Sequence, residues 1–279
     1  MSVQIIAEVG SNHCGSLELA RMHVDVAAKC KADGVKFQLF RAETLDSRPE
    51  KQEKLKKYEL PLEWLPELRA QAQAHGLKFG VSVFSPDLVE PCRGYIDFVK
   101  ISAYDLLYTD LIRVACTLDV PLVLSTAMAT YPEIDKVCIL LRHWRTGSLP
   151  GVTLLHGVAQ YPASLEDQNL KVLREMRNLY TGANGLSDHT LGHEAAILAV
   201  AMGASMIEKH FVIDPLMNAR VVQSPDFPHS THPTEFAFMV EMIHKTEKAL
   251  GTGEKTGPLP IEQPLFDTAR RSNTKRLRG

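Results

Sequence analysis

Cysteine is scarce, with five in 279 residues: Cys14, Cys30, Cys92, Cys116 and Cys138. Their number is odd and no two stand as CxxC. That speaks against a disulfide framework or a structural zinc site and fits a reducing compartment, so a cytoplasmic location is expected. An excess of charge of one sign is also missing. The formal net charge is -2, and nothing in it calls for a nucleic-acid partner. No stretch approaches the roughly 20 apolar residues that span a bilayer, so no membrane partner is expected. The start, MSVQIIAEVGSNH, lacks the basic segment and long apolar run of a signal peptide. GSNHCG, after the first apolar segment, is not the GxGxxG turn of a dinucleotide fold. Low-complexity segments are absent as well.

What is present is an ordinary globular composition, 45% hydrophobic and 23% charged, long enough for one large core. Short β-rich segments alternate with amphipathic ones. The expected strands are 3–9, 34–40, 77–84, 96–102, 121–126, 152–158, 183–188 and 204–211, each followed by a helical pattern. Eight such units in about 250 residues predict an α/β fold of the (β/α)8 TIM-barrel type, with a doubly wound open sheet as the alternative. From Gly251 the chain turns rich in Gly and Pro, then basic through Arg270, Arg271, Lys275 and Arg276. The expected organisation is one barrel domain over 1–250 and an irregular, solvated tail over 251–279, with no second domain.

In such a barrel the active site lies where the strands end. Polar residues gather there: Glu8; Lys36 and Gln38; Ser82 and Ser85; Lys100 and Ser102; Ser125 and Thr126; His156; Ser187, Asp188 and His189; Glu208 and His210. Residues two apart on a strand share a face, so Lys36 goes with Gln38 and Glu208 with His210. Two lysines and several hydroxyls at one mouth suit a phosphate or carboxylate. Histidines on neighbouring strands, His189 and His210, suit a divalent metal with open positions. Each element alone also has a plain reading. A strand lysine can pair with Glu8 or Glu208, and a lone histidine is commonly a packed one. Their coincidence at one end of several strands favours function.

His156 divides evenly between packing and pocket lining. His13 reads as a turn residue beside the mouth, Cys14 as loop filler, and His193 as the surface start of a helix. The loop after the last strand, VIDPLMNARVVQSPDFPHSTHPTEF, holds Asp214, Asp226, His229 and His232. Loops this long are often functional. Asp226 can reach the mouth from there, and His232 starts the last helix.

In this order, IIAEVGSNHCG, VKFQLF, DFVKIS, VLSTAMA, LLHGVAQYP, GLSDHTLG and IEKHF resemble the N-acetylneuraminate (sialic acid) synthase family, over residues 3 to about 272. The resemblance implies a TIM barrel that condenses phosphoenolpyruvate with an aldose, giving a 2-keto-3-deoxy sugar acid and phosphate. It implies a divalent metal, commonly manganese, with magnesium, cobalt or zinc as substitutes, and a homodimer. By position, His189 and His210 match the metal ligands. Lys36, Lys100, Ser82, Ser125 and Ser187 match the groups that hold phosphoenolpyruvate, with Gln38 and Ser102 beside them. Glu8 matches the carboxylate at the reacting centre. Tyr161 matches a sugar-pocket residue, and Asp226 the aspartate of the family's GPD motif, here SPD.

The sequence departs from the family pattern at Ala103, where a serine is usual, at Asp105 and at Ala159. It also ends seven residues after Ser272, where typical members continue into a small antifreeze-like domain. These departures lead to the expectation of an acceptor other than N-acetylmannosamine, with the loop from Val212 to Pro233 covering the site. Two competing readings are a metal-dependent barrel aldolase or isomerase and a non-catalytic sugar-binding barrel.

Overall fold

The β-branched and aromatic segments form strands because each can bury both faces, one against helices and one inside a ring. In the computed structural model, which describes residues 2–145, 151–180 and 182–269, the strands are β1 (Gln4–Gly10), β2 (Gly34–Leu39), β3 (Lys78–Val83), β4 (Phe98–Ile101), β5 (Leu122–Ser125), β6 (Val152–Gly157), β7 (Ala183–Asp188) and β8 (Met206–His210). All neighbours are parallel, and β1 pairs with both β2 and β8, so the sheet closes into a barrel and the open-sheet alternative falls away. The strand bounds lie within about two residues of those expected from composition.

The helices are α1 (Leu17–Lys29), α2 (Ala42–Leu45), α3 (Pro49–Lys56), α4 (Leu65–Ala74), α5 (Thr109–Ala115), α6 (Tyr131–Trp144), α7 (Val172–Leu179), α8 (Glu194–Ala201), α9 (Pro233–Leu250) and α10 (Gln263–Ala269). One expected unit differs. Between β3 and β4 the chain makes only two 3-10 turns, Pro86–Leu88 and Glu90–Cys92. Pro86 and Pro91 explain this, since each removes an amide donor and a helix through both would lose its ladder.

Two apolar layers hold the barrel. The larger runs between the strands and the helices and includes Phe37, Phe79, Leu19, Leu65 and Phe236. The smaller, Ile6, Phe98, Val123, Leu155 and Met206, plugs the barrel interior. Gly80 makes this plug possible, because a Cβ there would lie 2.2 Å from the Phe98 ring. Above the plug the inward positions turn polar, and register sets them side by side. Glu8 lies across from Lys36 and His210, Ser82 from Gln38 and Lys100, and Ser187 from Glu208.

The chain divides into two compact units, 1–247 and 248–279, a boundary three residues before the expected one. The second is not wholly irregular. It contains a 3-10 turn, Pro260–Glu262, opened by a hydrogen bond from the Leu259 amide to Glu262 Oε2 (2.7 Å), and then α10. Arg270, Arg271, Lys275 and Arg276 lie outside the described residues. Among the described residues no helix is long and apolar enough to cross a membrane.

Candidate active site

At the carboxyl ends of the strands the polar positions enclose a cavity of about 380 Å³. Glu8, Lys36, Gln38, Ser82, Lys100, Ser102, Ser125, Tyr161, Ser187, His189, His210 and Asp226 all line it. So do Phe84, Ala103, Tyr104, Glu208 and His229. Among the latter, Tyr104 and His229 had no role from sequence reasoning. Tyr104 sits in the turn just after β4, and His229 is seventh in a run of loop residues without periodicity. For His229 the one available signal is its spacing of three from Asp226.

Other polar residues at the strand ends turn elsewhere. Asp188 faces outward and pairs with Lys209 Nζ at 2.7 Å, both fully buried. Ser85 bonds Asp87, and Thr126 donates to the Leu155 carbonyl. The His156 ring meets the Gln168 carbonyl at 2.7 Å and faces a separate groove beside α6 and α7. His193 stands at the start of α8 with its ring 4.8 Å from that of Phe238. His13 lies in the turn after β1, as expected, but does not line the mouth. It is fully buried behind the barrel wall, with its ring against Phe37 and Trp64. The apolar walls explain the placement, and burial lowers its pKa to about 4.

The floor of the cavity is a four-charge cluster. Lys36 Nζ is ion-paired with Glu8, donates to Ser82 Oγ at 2.7 Å and lies 3.7 Å from Glu208 Oε2. Lys100 Nζ is paired with Glu208 and lies 3.3 Å from Ser187 Oγ. Gln38 Nε2 donates to Glu8 Oε1 at 2.9 Å. Burial would push the Glu208 carboxyl up, but Lys100 and Lys36 outweigh it and hold it at about 2. Burial also lowers Lys36, yet Glu208 and Glu8 leave it above its ordinary value. Glu8 is the weaker acid of the pair, raised chiefly by burial. The hydroxyls of Ser82, Ser125 and Ser187 stand beside the two ammonium groups in the cavity wall. That arrangement suits an anion with several oxygens.

The rim is built of aromatic rings. Tyr161 lies 4.2 Å from the His189 ring and 5.0 Å from that of His229, centroid to centroid. His210 and His229 are 4.6 Å apart and nearly perpendicular, and His189 and His210 are 5.8 Å apart. Burial lowers the pKa of all three imidazoles, His189 to about 4, which favours the neutral form that carries a lone pair. His189 Nδ1 lies 2.7 Å from the Val158 carbonyl, so it must be the protonated nitrogen, and Nε2 is left as an acceptor 3.4 Å from Ser187 Oγ. Two further nitrogens, His210 Nδ1 and His229 Nε2, are buried without a hydrogen-bond partner. Donor atoms of His210, Asp226 and His229 lie within 4.8 Å of one another. Neutral imidazoles, a carboxylate and unpartnered buried nitrogens fit a divalent cation of the borderline class.

Comparison with known proteins gives the family. The chain is 33% identical over 296 residues to N,N'-diacetyllegionaminic acid synthase of Legionella pneumophila, covering 99% of this chain and 81% of that one. It is 32% identical over 268 residues to pseudaminic acid synthase of Campylobacter jejuni, covering 90% and 76%. The solved structure of N-acetylneuraminic acid (sialic acid) synthetase from Leptospira borgpetersenii, in complex with citrate, matches with a TM-score of 0.88 at 30% identity. That match covers 98% of this chain and 94% of the other. Residues 23–255 match the NeuB family, and the chain belongs to that family of sugar-acid synthases.

Proposed function

We propose that this chain condenses phosphoenolpyruvate with an aldose to give a 2-keto-3-deoxy sugar acid and inorganic phosphate, as a transferase of carbohydrate biosynthesis. The observation that carries the reading is the floor of the cavity, where Lys36 and Lys100 stand among Ser82, Ser125 and Ser187 with Glu8 between the strands. On this reading the lysines and hydroxyls hold the phosphate and carboxylate of the donor, so that its carbon 3 faces the aldehyde. The carbon–carbon bond forms there, positive charge collects on carbon 2, and a water adds to it. Glu8, paired with Lys36, balances that charge and passes a proton from the water to the oxyanion left on the former aldehyde; the bond from carbon 2 to the phosphate oxygen then breaks, and phosphate leaves with the proton of the new hydroxyl as the ketone forms.

His210 and His189 are proposed to hold a divalent cation, with manganese as the first choice. Such a cation, when bound, polarises the aldehyde as a Lewis acid. Tyr161 and Tyr104 at the rim offer ring faces to the acceptor. Ala103 lines the cavity with a methyl where the resemblance expects a serine, which leaves an N-acyl group one polar partner short. The proposed acceptor is therefore an aldose other than N-acetylmannosamine. A homodimer belongs to the same reading, and light scattering checks it.

The test is phosphate release from phosphoenolpyruvate with manganese across aldoses with and without N-acyl groups, compared by kcat/KM. The reading expects an aldose lacking the N-acyl group to exceed N-acetylmannosamine. N-acetylmannosamine as the best acceptor overturns the acceptor assignment. Conversion of a sugar without phosphoenolpyruvate would point to the aldolase or isomerase reading instead.

A further inference from the structure

We propose that Asp226 and His229, carried by the loop after β8, are ligands of the divalent cation together with His210, and that Ser11 is the residue that positions Asp226. The inference rests on the reading above only in that a cation binds in this cavity.

The first ground is the pair of unpartnered nitrogens. His210 Nδ1 and His229 Nε2 are buried without hydrogen bonds on residues that are each 7% exposed. Buried polar atoms in folded proteins almost always have a partner, and both unpartnered nitrogens belong to residues whose donor atoms gather within 4.8 Å of one another with an Asp226 carboxylate oxygen, which marks the place of a missing one. An ordinary His229–Asp226 ion pair does not supply it. His229 Nε2 is 3.6 Å from Asp226 Oδ1, too long for a hydrogen bond, and the pair leaves His210 unexplained. A cation held about 2.1 Å from nitrogen and oxygen donors draws groups at this spacing in by a few tenths of an ångström.

The second ground is the division of labour within Asp226. Its Oδ2 accepts both the Ser11 amide, at 2.7 Å, and the Ser11 hydroxyl, at 2.8 Å. The Ser11 hydroxyl is itself set by Ser224 Oγ at 3.0 Å. With Oδ2 so occupied, Oδ1 is the oxygen turned toward His229. Gly10 has a φ of +54°, and a Cβ on it would lie 2.2 Å from Asp226 Oδ2, so the backbone beside the carboxylate leaves room for that oxygen alone. Carboxylate ligands are commonly held in this way by groups outside the metal's own shell. With His189, which the reading above also assigns to the cation, three imidazoles and one carboxylate suit a first-row divalent ion better than calcium or magnesium, which prefer all-oxygen sites.

The experiment is titration of the full chain with Mn2+ alone, no substrate present, following free Mn2+ by electron paramagnetic resonance. His229→Gln and Asp226→Asn are each expected to weaken binding at least tenfold. Ser11→Ala is expected to weaken it about tenfold, in the range seen when a supporting partner is removed, and Ser11→Thr to restore it to within about twofold. Thermal melts without metal show which variants fold. If Asp226→Asn unfolds, His229→Gln and Ser11→Ala decide the matter. Wild-type Mn2+ affinity in His229→Gln, with loss in His189→Gln, overturns the inference. Phosphate release by the unaltered chain is measured separately, so that outcome leaves the proposed reaction standing.

Discussion

Lys36 on β2 and Lys100 on β4 stand two strands apart in the ring, yet neither is a bare charge. Each is seated on a carboxylate, Glu8 or Glu208, which keeps two buried ammonium groups in one cavity tolerable. On the proposed function, an anionic donor would meet the face of each lysine that the carboxylates leave open. Methionine at either position keeps the stem and removes the charge. Lys36→Met and Lys100→Met are expected to raise KM for phosphoenolpyruvate by about 10- to 100-fold, the scale of a charged hydrogen bond, with a much smaller change for the acceptor. Equal weakening of both substrates in steady-state kinetics contradicts the assignment. A second residue-scale prediction concerns His23, on the buried face of α1, with Nδ1 2.7 Å from the Leu19 carbonyl and Nε2 accepting the Ile213 amide. Burial lowers its pKa to about 4. The folded state therefore takes up the proton less readily than the unfolded chain. The stability this provides is complete above pH 6.5 and is lost as pH falls toward 4, an effect of roughly 3 kcal/mol. Urea midpoints between pH 7.5 and pH 4.5 should fall, with a shallower fall in His23→Gln; equal slopes contradict this. Residues on strands were legible because alternation fixes their side, as with Lys36 and Gln38. His13 was not, since a loop residue's direction depends on walls, here Phe37 and Trp64, that are distant in sequence.

The elements that matter most to the site are two loops that clasp each other. The turn after β1 and the long connection from β8 to α9 meet through Asn12, whose amide donates to the Phe211 carbonyl and Ser230 Oγ, and through Ser11 with Asp226. Tyr58 adds a hydrogen bond to the Gln223 carbonyl at 2.6 Å. This clasp carries Asp226 and His229 into the cavity wall. Gly10→Ala is expected to disturb it twice, through its positive φ and through contact with Asp226, and to cost about 1–3 kcal/mol in chemical denaturation. An unchanged denaturation midpoint contradicts the clasp. On the outer side, Lys209 on β8 donates to Asp188 Oδ2 and to the Thr190 carbonyl, while Asp188 Oδ1 takes the Thr190 amide and hydroxyl. This fixes the segment that bears His189. Lys209→Met leaves Asp188 buried and without a counter-charge, and is expected to destabilise the protein by about 3–5 kcal/mol. The existence of the elements was legible, since hydrophobic period decides strand against helix. The clasp was not, because its partners are some 200 residues apart and no periodicity links them. The missing helix between β3 and β4 was written in Pro86 and Pro91, whose spacing outweighs the apolar residues around them.

At the scale of the molecule, a closed ring of eight parallel strands turns eight short sequence segments into one surface. β1, β4, β5, β6 and β8 place residues in an apolar plug near one end, and charge and hydroxyl groups gather at the carboxyl ends. Closure brings Glu8 beside both Lys36 and His210, residues that the chain separates by 28 and 202 positions. The barrel was legible because the alternation repeats over most of the chain, and with it the end at which the site had to lie. The chemistry at that end depends on which groups share one cavity, which only the closed register decides. The central claim is that this cavity joins three carbons of phosphoenolpyruvate to an aldehyde. Its most direct test is mass balance with uniformly 13C-labelled phosphoenolpyruvate, an aldose acceptor and manganese, read by mass spectrometry and phosphate assay. The predicted result is one phosphate released per acceptor consumed, with a product that carries all three labelled carbons. Phosphate released without a labelled sugar acid, or no phosphate with any aldose, contradicts it.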